Sequence, residues 1–253
     1  MRIHNTDPLR FSRLKLMGKS PAHYAAYVPT PTGAMETGTA ADRLLLGGAV
    51  LAYPGPVRRG KDYEAFCAAN PGALIVTQRE GEIAHGIAEA VTACPDAMRL
   101  LQGERQHTIY WDFNGRACRS TPDVRGDGFL TDLKTGETSD PRFFPFKVRR
   151  FAYHAQMSFY ETAVQFSNLP PVTQSYIVAV EQAPPHVVTV YRLTEQTIEL
   201  GARLWRTWLE QLQVCEASGS FPPYSQSIVD LELFEDGELL ELGDAAEVVE
   251  TTA

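Results

Sequence analysis

The sequence predicts an α/β (α+β layered) fold, in which helices flank a central mixed β-sheet. Apolar residues recur at helical intervals through the first hundred residues and again after residue 194. Five segments between residues 108 and 192 are instead short, apolar and bounded by turn residues, as strands are. With 253 residues and 44% hydrophobic content, the chain can bury one sizeable core. We therefore expect one domain over residues 1–229 and an acidic tail or hairpin over residues 230–253.

The first hundred residues are predicted to be mainly helical. Ser20 followed by Pro21 is typical of a helix N-cap with proline at the first helical position. A proline- and glycine-rich loop, VPTPTGAMETG, separates that helix from the next, for which Thr39 is the predicted cap. Residues 48–62 are expected to be irregular. The predicted helices are FSRLKLM, the SPAHY stretch, Thr39 to Leu46, KDYEAFCAAN, and one or two helices between Gln78 and Leu101, broken near Pro95.

The remaining elements supply the predicted sheet and two long helices. Asn114-Gly115 predicts a hairpin turn between two strands, and a third strand follows the turn that begins at Arg125. A single long helix is expected over residues 141–166, and a final one over residues 194–217. The predicted strands are 108–113, 116–121, 129–135, 173–179 and 187–192.

The charge of −8 argues at first against a nucleic-acid partner, but its distribution does not. Removing nine acidic residues at the C-terminus from the total of 31 leaves 22 acids against 23 bases, so the body of the chain is about neutral. Arginine outnumbers lysine 18 to 5, and arginine is the better bidentate phosphate ligand. These nine acids are Asp230, Glu232, Glu235, Asp236, Glu238, Glu241, Asp244, Glu247 and Glu250.

Cysteine and histidine spacing excludes the common metal and disulfide frameworks. Four cysteines lie too far apart for a zinc site, an iron–sulfur cluster or a dense disulfide scaffold, so we expect free thiols. His23, His107 and His154 fit no ligand spacing and are expected to be structural or exposed. No apolar run is long enough to cross a bilayer and no signal peptide is evident, so a soluble, cytoplasmic protein is expected.

Charged side chains converge in TPDVRGDGFLTDLKTG. Strand alternation sends Asp132 and Lys134 to one face and Leu133 to the core, and the preceding turn folds Asp123 back beside Asp132. A hard divalent cation takes oxygen ligands from two such carboxylates, and a lysine orients or helps deprotonate the attacking water. The group therefore suits phosphodiester hydrolysis. An exposed Asp132–Lys134 ion pair, worth at most about 1 kcal/mol, is the alternative interpretation.

The helix after this strand carries polar groups at helical spacing. Tyr153, Gln156 and Tyr160 fall on one stripe, while Phe159 and its neighbours supply the core face. A glutamine there can bind a water or a phosphate, and a tyrosine can stack on a base. The tyrosines could equally be ordinary half-buried aromatics.

The order Pro122-Asp123, Asp132-Leu133-Lys134 and Gln156-x-x-x-Tyr160 resembles the PD-(D/E)XK nuclease superfamily, specifically its phage-type, RecE-like exonucleases. Supporting segments occur in the same order: SPAHY, GTAADRLLL, KDYEAF, GERQHTIYW and STPD before the strand, and YHAQMSFY after it. The resemblance covers most of the chain up to about residue 220. It implies a restriction-endonuclease-like core.

The resemblance also implies an activity and a site. Such enzymes degrade the 5′-ended strand of linear double-stranded DNA and leave a 3′ overhang for a phage single-strand annealing protein. Asp123 and Asp132, with the carbonyl of Leu133, would hold Mg²⁺, for which Mn²⁺ would substitute. Lys134 would serve the nucleophilic water, and Gln156 and Tyr160 would complete the site, Tyr160 contacting substrate.

Two positions depart from the family pattern. The helix in GTAADRLLL usually offers a histidine near the metal, whereas this chain has Asp42, which we expect to be a metal ligand or to hold a water at the metal, because Mg²⁺ prefers oxygen. The residue before Pro-Asp is often arginine but here is Thr121, so Arg119 or Arg125 is expected to contact substrate instead. Glu104 is interpreted as a strand-edge residue rather than an outer carboxylate.

The resemblance further implies a homo-oligomeric ring around DNA ends, in a bacterial host cell and phage- or prophage-encoded, with no membrane partner. Two alternatives remain open at this stage. One is a structure-selective repair endonuclease with the same core, and the other is a catalytically silent DNA-binding subunit. The acidic tail is predicted either to seal a subunit contact or to dock the annealing partner.

Overall fold

The computed structural model describes residues 7–28 and 33–232. The helices in these ranges are α1 (Phe11–Leu14), α2 (Pro21–Ala26), α3 (Gly33–Leu46), α4 (Lys61–Ala69), α5 (Gln78–Thr92), α6 (Pro95–Leu100), α7 (Phe144–Arg150), α8 (Tyr153–Gln165) and α9 (Glu195–Ser218), with a 3₁₀ turn at Lys15–Gly18. The strands are β1 (Val50–Ala52), β2 (Leu74–Val76), β3 (Glu104–Arg105), β4 (Ile109–Phe113), β5 (Arg116–Ser120), β6 (Val124–Arg125), β7 (Phe129–Gly136), β8 (Gln174–Glu181) and β9 (Val188–Leu193).

A five-stranded mixed sheet forms the centre of the molecule, in the order β3-β6-β7-β8-β9. Strands β7 and β8 are parallel, with Leu130 opposite Ser175, and the other neighbours are antiparallel. The crossover between the parallel strands carries α7 and α8, as a parallel connection requires. The predicted layered α/β fold with a central mixed sheet is confirmed.

Helices cover both faces of the sheet and bury a separate apolar cluster on each. On one face, Leu130 and Ile177 lie in a cluster with Phe159 of α8 and Trp205 of α9. On the other face, Val178 and Val180 of β8 lie in a cluster with residues of α3 and α5. The central strand β8 is therefore buried on both sides, which explains its continuous apolar run.

The Asn114-Gly115 hairpin is confirmed, but its strands β4 and β5 form a sheet of their own rather than part of the central one. The N-terminal segment attaches to it, because the Leu9 amide donates to Ala117 O at 2.9 Å and the Arg119 amide donates to Leu9 O at 2.9 Å. These bonds place Leu9, and α1 directly after it, beside β5 of the hairpin.

Several predicted boundaries are wrong. Helix α3 begins at Gly33 rather than Thr39, and the stretch expected to be irregular contains β1, which pairs in parallel with β2. The single helix expected over residues 141–166 is two helices, because Ala152 adopts a left-handed conformation with φ 57° and ψ 37°. By contrast, the expected alternative of two helices between Gln78 and Leu101, broken near Pro95, is confirmed, because the second helix begins at Pro95.

Beyond α9 the chain runs back over α2, where Phe221 stacks on Tyr24. The hairpin predicted around Asp236-Gly237 lies outside the described residues. Within the described ranges, no helix combines the length and the apolar character that a membrane crossing requires.

Candidate active site

The centre of the candidate site is the free edge of β7. Strand β6 pairs with β7 only at Leu130 and Thr131, so no strand of the described residues pairs with β7 beyond Thr131 on that side. Asp123, just before β6, occupies this edge, and its Oδ2 accepts a hydrogen bond of 2.8 Å from the Leu133 amide. Asp123 can therefore approach the part of β7 that contains Asp132, as predicted, because β6 is only two residues long.

Alternation along β7 places the other charged groups as predicted. Leu133 lies in the cluster under α3 and α5, while Asp132 on the opposite face accepts a hydrogen bond of 3.2 Å from Gln156 Nε2 on α8. Lys134 Nζ lies against Asp132 Oδ2. Asp132 is only 3% exposed, which contradicts the alternative of an exposed surface ion pair.

Helix α3 brings a third carboxylate to the group. Gly38 faces β7 so closely that a Cβ would lie 2.9 Å from Thr135 Oγ1, and Asp42 follows one helical turn later. Burial raises the pKa of Asp42 to about 7; the positive charge of Lys134 opposes this rise and the negative charge of Asp132 adds to it. The carboxylate predicted at the usual histidine position therefore interacts with the other charged groups.

The remaining titratable groups show how strongly these charges interact. Burial, followed by the charges of Asp132 and Asp42, raises the pKa of Asp123 well above its usual range. Burial alone would lower the pKa of Lys134, but Asp132 and Asp123 outweigh it and the pKa is raised. Lys134 is thus an ammonium at neutral pH, and it also lies 4.7 Å from the centroid of the Tyr153 ring.

The donor set fits a hard divalent cation. Asp132 Oδ2 is buried and accepts no hydrogen bond of sound geometry within the described residues. Burial is the main cause of the raised pKa values of Asp42 and Asp123, and the negative charge of Asp132 adds to both, a repulsion that a cation would relieve. Within those residues, no three His, Cys, Asp or Glu side chains are already grouped as a closed metal site. Mg²⁺ needs only one or two protein carboxylates, since waters and phosphate complete its octahedron.

Gln156 links this group of charged side chains to a neighbouring cavity. Its Nε2 also donates to the Tyr160 hydroxyl at 2.9 Å, and burial raises the pKa of Tyr160. The two side chains border a cavity of about 420 Å³ whose other lining residues include Arg10, Lys15 and Arg119. Three cations beside the carboxylates provide a place for phosphate.

The two predicted arginines lie in different surroundings. Arg119 lines the cavity of Gln156 and Tyr160, together with Thr121, the residue at the usual arginine position. Arg125 instead pairs with Glu104 at 2.6 Å on an exposed edge of the sheet. Glu104, as expected, is an exposed strand-edge residue. The geometry therefore favours Arg119 over Arg125 as the phosphate contact.

Sequence reasoning missed Arg10 and Lys15. Both reach the cavity only because Leu9 pairs with β5, a long-range contact with no local signal in the sequence. Desolvation, with the charges of Lys134 and Lys19, lowers the pKa of Lys15, so Lys15 lies within electrostatic range of Lys134.

A mixed sheet with helices on both faces, and a Pro-Asp, Asp-x-Lys and Gln-x-x-x-Tyr group at the edge of one strand, define a nuclease of the PD-(D/E)XK class. The chain belongs to the family described as "PDDEXK-like domain of unknown function (DUF3799)", whose model matches residues 10–231. The predicted phosphodiester hydrolase is thereby confirmed at the level of a nuclease.

Comparison with solved structures supports the fold. A protein from Eubacterium rectale named "Putative exonuclease" superposes with a TM-score of 0.66 over 93% of each chain, at 13% sequence identity. A second structure, SSO0001, reaches a TM-score of only 0.28 at 11% identity over 85% of this chain and 98% of its own, too low to support an argument. No curated protein matches the chain.

Proposed function

We propose that this protein is a magnesium-dependent exodeoxyribonuclease that degrades the 5′-ended strand of linear double-stranded DNA and leaves 3′ overhangs. The observation that supports the chemistry is the hydrogen-bonded group in which Asp123 accepts from the Leu133 amide and Gln156 donates to Asp132. The name of the Eubacterium rectale structure favours an exonuclease. The 5′ polarity comes from the sequence resemblance to RecE-like enzymes.

Each residue has a defined part in hydrolysis. Asp42, Asp123 and Asp132, with the Leu133 carbonyl, would hold the divalent cation. When bound, the cation polarises the scissile phosphate and lowers the pKa of a coordinated water. Because Lys134 is charged, it orients that water and neutralises charge on a phosphate oxygen rather than removing a proton. The water oxygen forms a new bond to phosphorus and gives up a proton to bulk solvent, while the bond from phosphorus to the leaving oxygen breaks and that oxygen takes up a proton from solvent.

Gln156 and the cationic cavity position the substrate. Gln156 fixes Asp132 through its amide and holds the Tyr160 hydroxyl at the boundary between the carboxylates and the cavity. Arg119, Arg10 and Lys15 there can contact the phosphates that flank the scissile bond. Tyr160 then contacts the nucleotide.

Assembly and partners belong to the same proposal. DNA ends would be enclosed by a homo-oligomeric ring, the overhang would pass to a phage single-strand annealing protein, and Mn²⁺ would substitute for Mg²⁺. The acidic residues from Asp230 onward would serve a subunit or partner contact. The setting would be the cytoplasm of a bacterial host that carries the phage or prophage.

Digestion of end-labelled linear duplex tests the proposal. The wild type should release 5′ label as short products with Mg²⁺, release none with EDTA, and spare circular duplex. Lys134→Ala should lower the rate by at least about 100-fold, since electrostatic stabilisers of this kind contribute on that order. Lys61→Ala, at an exposed position on α4, is the matched control and should digest at the wild-type rate.

The two alternative functions predict different results in the same assay. Cleavage of nicked, branched or circular DNA at a rate equal to that of linear duplex would replace the exonuclease with a structure-selective endonuclease. DNA binding without turnover in either cation would indicate a silent subunit. Release of 3′ label before 5′ label would overturn the polarity alone.

A further inference from the structure

A cationic and aromatic segment borders the candidate active site and has no part in the hydrolysis proposed above. Residues 141–151, PRFFPFKVRRF, contain four cations and no acid. Phe144 anchors the segment in the core, but Phe146 and Phe151 are 64% and 40% exposed. Exposed aromatics interleaved with arginine and lysine are typical of surfaces that bind single-stranded nucleic acid.

Phe151 is the outermost of three stacked side chains, of which Lys134 is the innermost and Tyr153 lies between. Lys134 Nζ lies 4.7 Å from the centroid of Tyr153, and Tyr153 stacks on Phe151 with centroids 5.7 Å apart and an interplanar angle of 21°. The stack therefore runs from the reacting groups to the surface.

The left-handed conformation of Ala152 makes this stack possible. In a continuous helix, side chains at i and i+2 point about 160° apart and do not face each other. The break at Ala152, with φ 57°, ends α7 and starts α8, so Phe151 and Tyr153 lie side by side. The left-handed region is unfavourable for a non-glycine residue, and such backbone strain is concentrated at functional sites.

The stack and the charges share one cleft with Asp42 and Lys134. A cavity of about 580 Å³ is lined by these two residues and also by Lys147, Arg150 and Phe151. If a phosphate of a DNA strand lies at the carboxylates, the neighbouring nucleotide would therefore lie in the same cleft, beside Phe151.

We propose that Phe151 is the stacking surface for an unpaired base next to the scissile phosphate, with Lys147 and Arg150 contacting the backbone phosphates. The ligand is single-stranded DNA at the end being degraded, so the inference rests on the proposed nuclease function and adds how it holds substrate. The Arg150 guanidinium lies 5.5 Å from the centroid of the Phe151 ring, and a base would take its place as Arg150 turns to a phosphate. In the same way, Lys147 gives up its 3.4 Å contact with the exposed Glu137 and contacts a phosphate instead.

The test uses binding without hydrolysis, so that it can be separated from the nuclease proposal. Full-length protein is titrated, in EDTA, into single-stranded oligonucleotides that carry one 2-aminopurine at each position in turn, and stacking is detected as fluorescence quenching. The wild type should quench one or two adjacent positions. Phe151→Leu, which keeps the apolar volume, should lose that quenching and bind about 5- to 20-fold more weakly, consistent with the loss of one stacked base. Phe151→Tyr should retain it.

Phe146→Leu is the matched control, because Phe146 is a more exposed phenylalanine on α7, five residues before Phe151, and does not line the cleft. It should quench and bind like the wild type. A second measurement needs no variant: an abasic nucleotide at the quenched position should weaken wild-type binding by a similar factor.

Unchanged quenching in Phe151→Leu, or no effect of the abasic nucleotide, would overturn the stacking proposal while leaving the nuclease intact. An equal loss in Phe146→Leu would also overturn it, in favour of a general cationic surface. Failure of the proposed function has a different signature, namely no magnesium-dependent release of label by the wild type in the digestion assay.

Discussion

Asp42 allows a quantitative test of the carboxylate cluster in the absence of metal. Its pKa rises from 3.8 to about 7, which corresponds to a cost of up to about 4 kcal/mol for the ionised form. Because this is an acid whose pKa is raised on folding, the cost is absent below pH 3.8, grows as pH rises and is complete above pH 7. Asp42→Asn should therefore stabilise the metal-free protein at pH 8 and leave its stability unchanged at pH 4.

The assay is urea unfolding in EDTA between pH 4 and pH 8. The half-buried position of Asp42 makes 4 kcal/mol an upper bound, and a gain of about 1–4 kcal/mol at pH 8 is expected. Glu210→Gln removes an exposed charge on α9 and should change stability by less than about 0.5 kcal/mol at any pH. Added Mg²⁺ should then stabilise the wild type more than Asp42→Asn, reversing part of the difference. Equal or lower stability of Asp42→Asn at pH 8 in EDTA would refute the reasoning.

Three further outcomes follow from the packing and charges. Burial raises the pKa of Glu161, so Glu161→Gln should stabilise the fold at neutral pH and the gain should fade toward pH 4, as measured by thermal unfolding. Gly201→Ala should destabilise the protein by about 1–3 kcal/mol in urea unfolding, because a Cβ would lie 2.3 Å from His154 O; a rise in stability, as helix propensity alone predicts, would contradict this. Arg119→Gln should weaken binding of duplex DNA and lower its salt dependence, whereas Arg125→Gln, which loses a pair with Glu104, should change neither.

Side-chain pairings of the candidate site that lie within one element could be predicted because strands and helices have fixed periods. Alternation alone put Asp132 and Lys134 on one face, and helical spacing put Gln156 and Tyr160 one turn apart, where they form a hydrogen bond. The hairpin at Asn114-Gly115 was predictable for a similar local reason.

Contacts between distant segments could not be predicted in this way. Lys15 lies at the cavity because Leu9 pairs with the edge of β5, a strand far away in the sequence. The start of α3 was misplaced because a glycine opens it directly after a proline-rich stretch. The break at Ala152 was missed since residues 150–155 include no glycine or proline, and only tertiary packing accounts for it.

The Asp42 departure changes the ligand atom but keeps a group that titrates near neutral pH. A histidine at this position would be a neutral nitrogen donor with a pKa near 6.5. Asp42, whose pKa is about 7, also carries a proton around neutrality in the metal-free protein and must release it to bind a cation. If Asp42 is a metal ligand, as proposed, the exchange of nitrogen for oxygen would move the preference of the site toward Mg²⁺ and away from softer metals. Metal binding would then still be coupled to the loss of a proton, and the proposed site would not need the histidine that the sequence resemblance implies at this position.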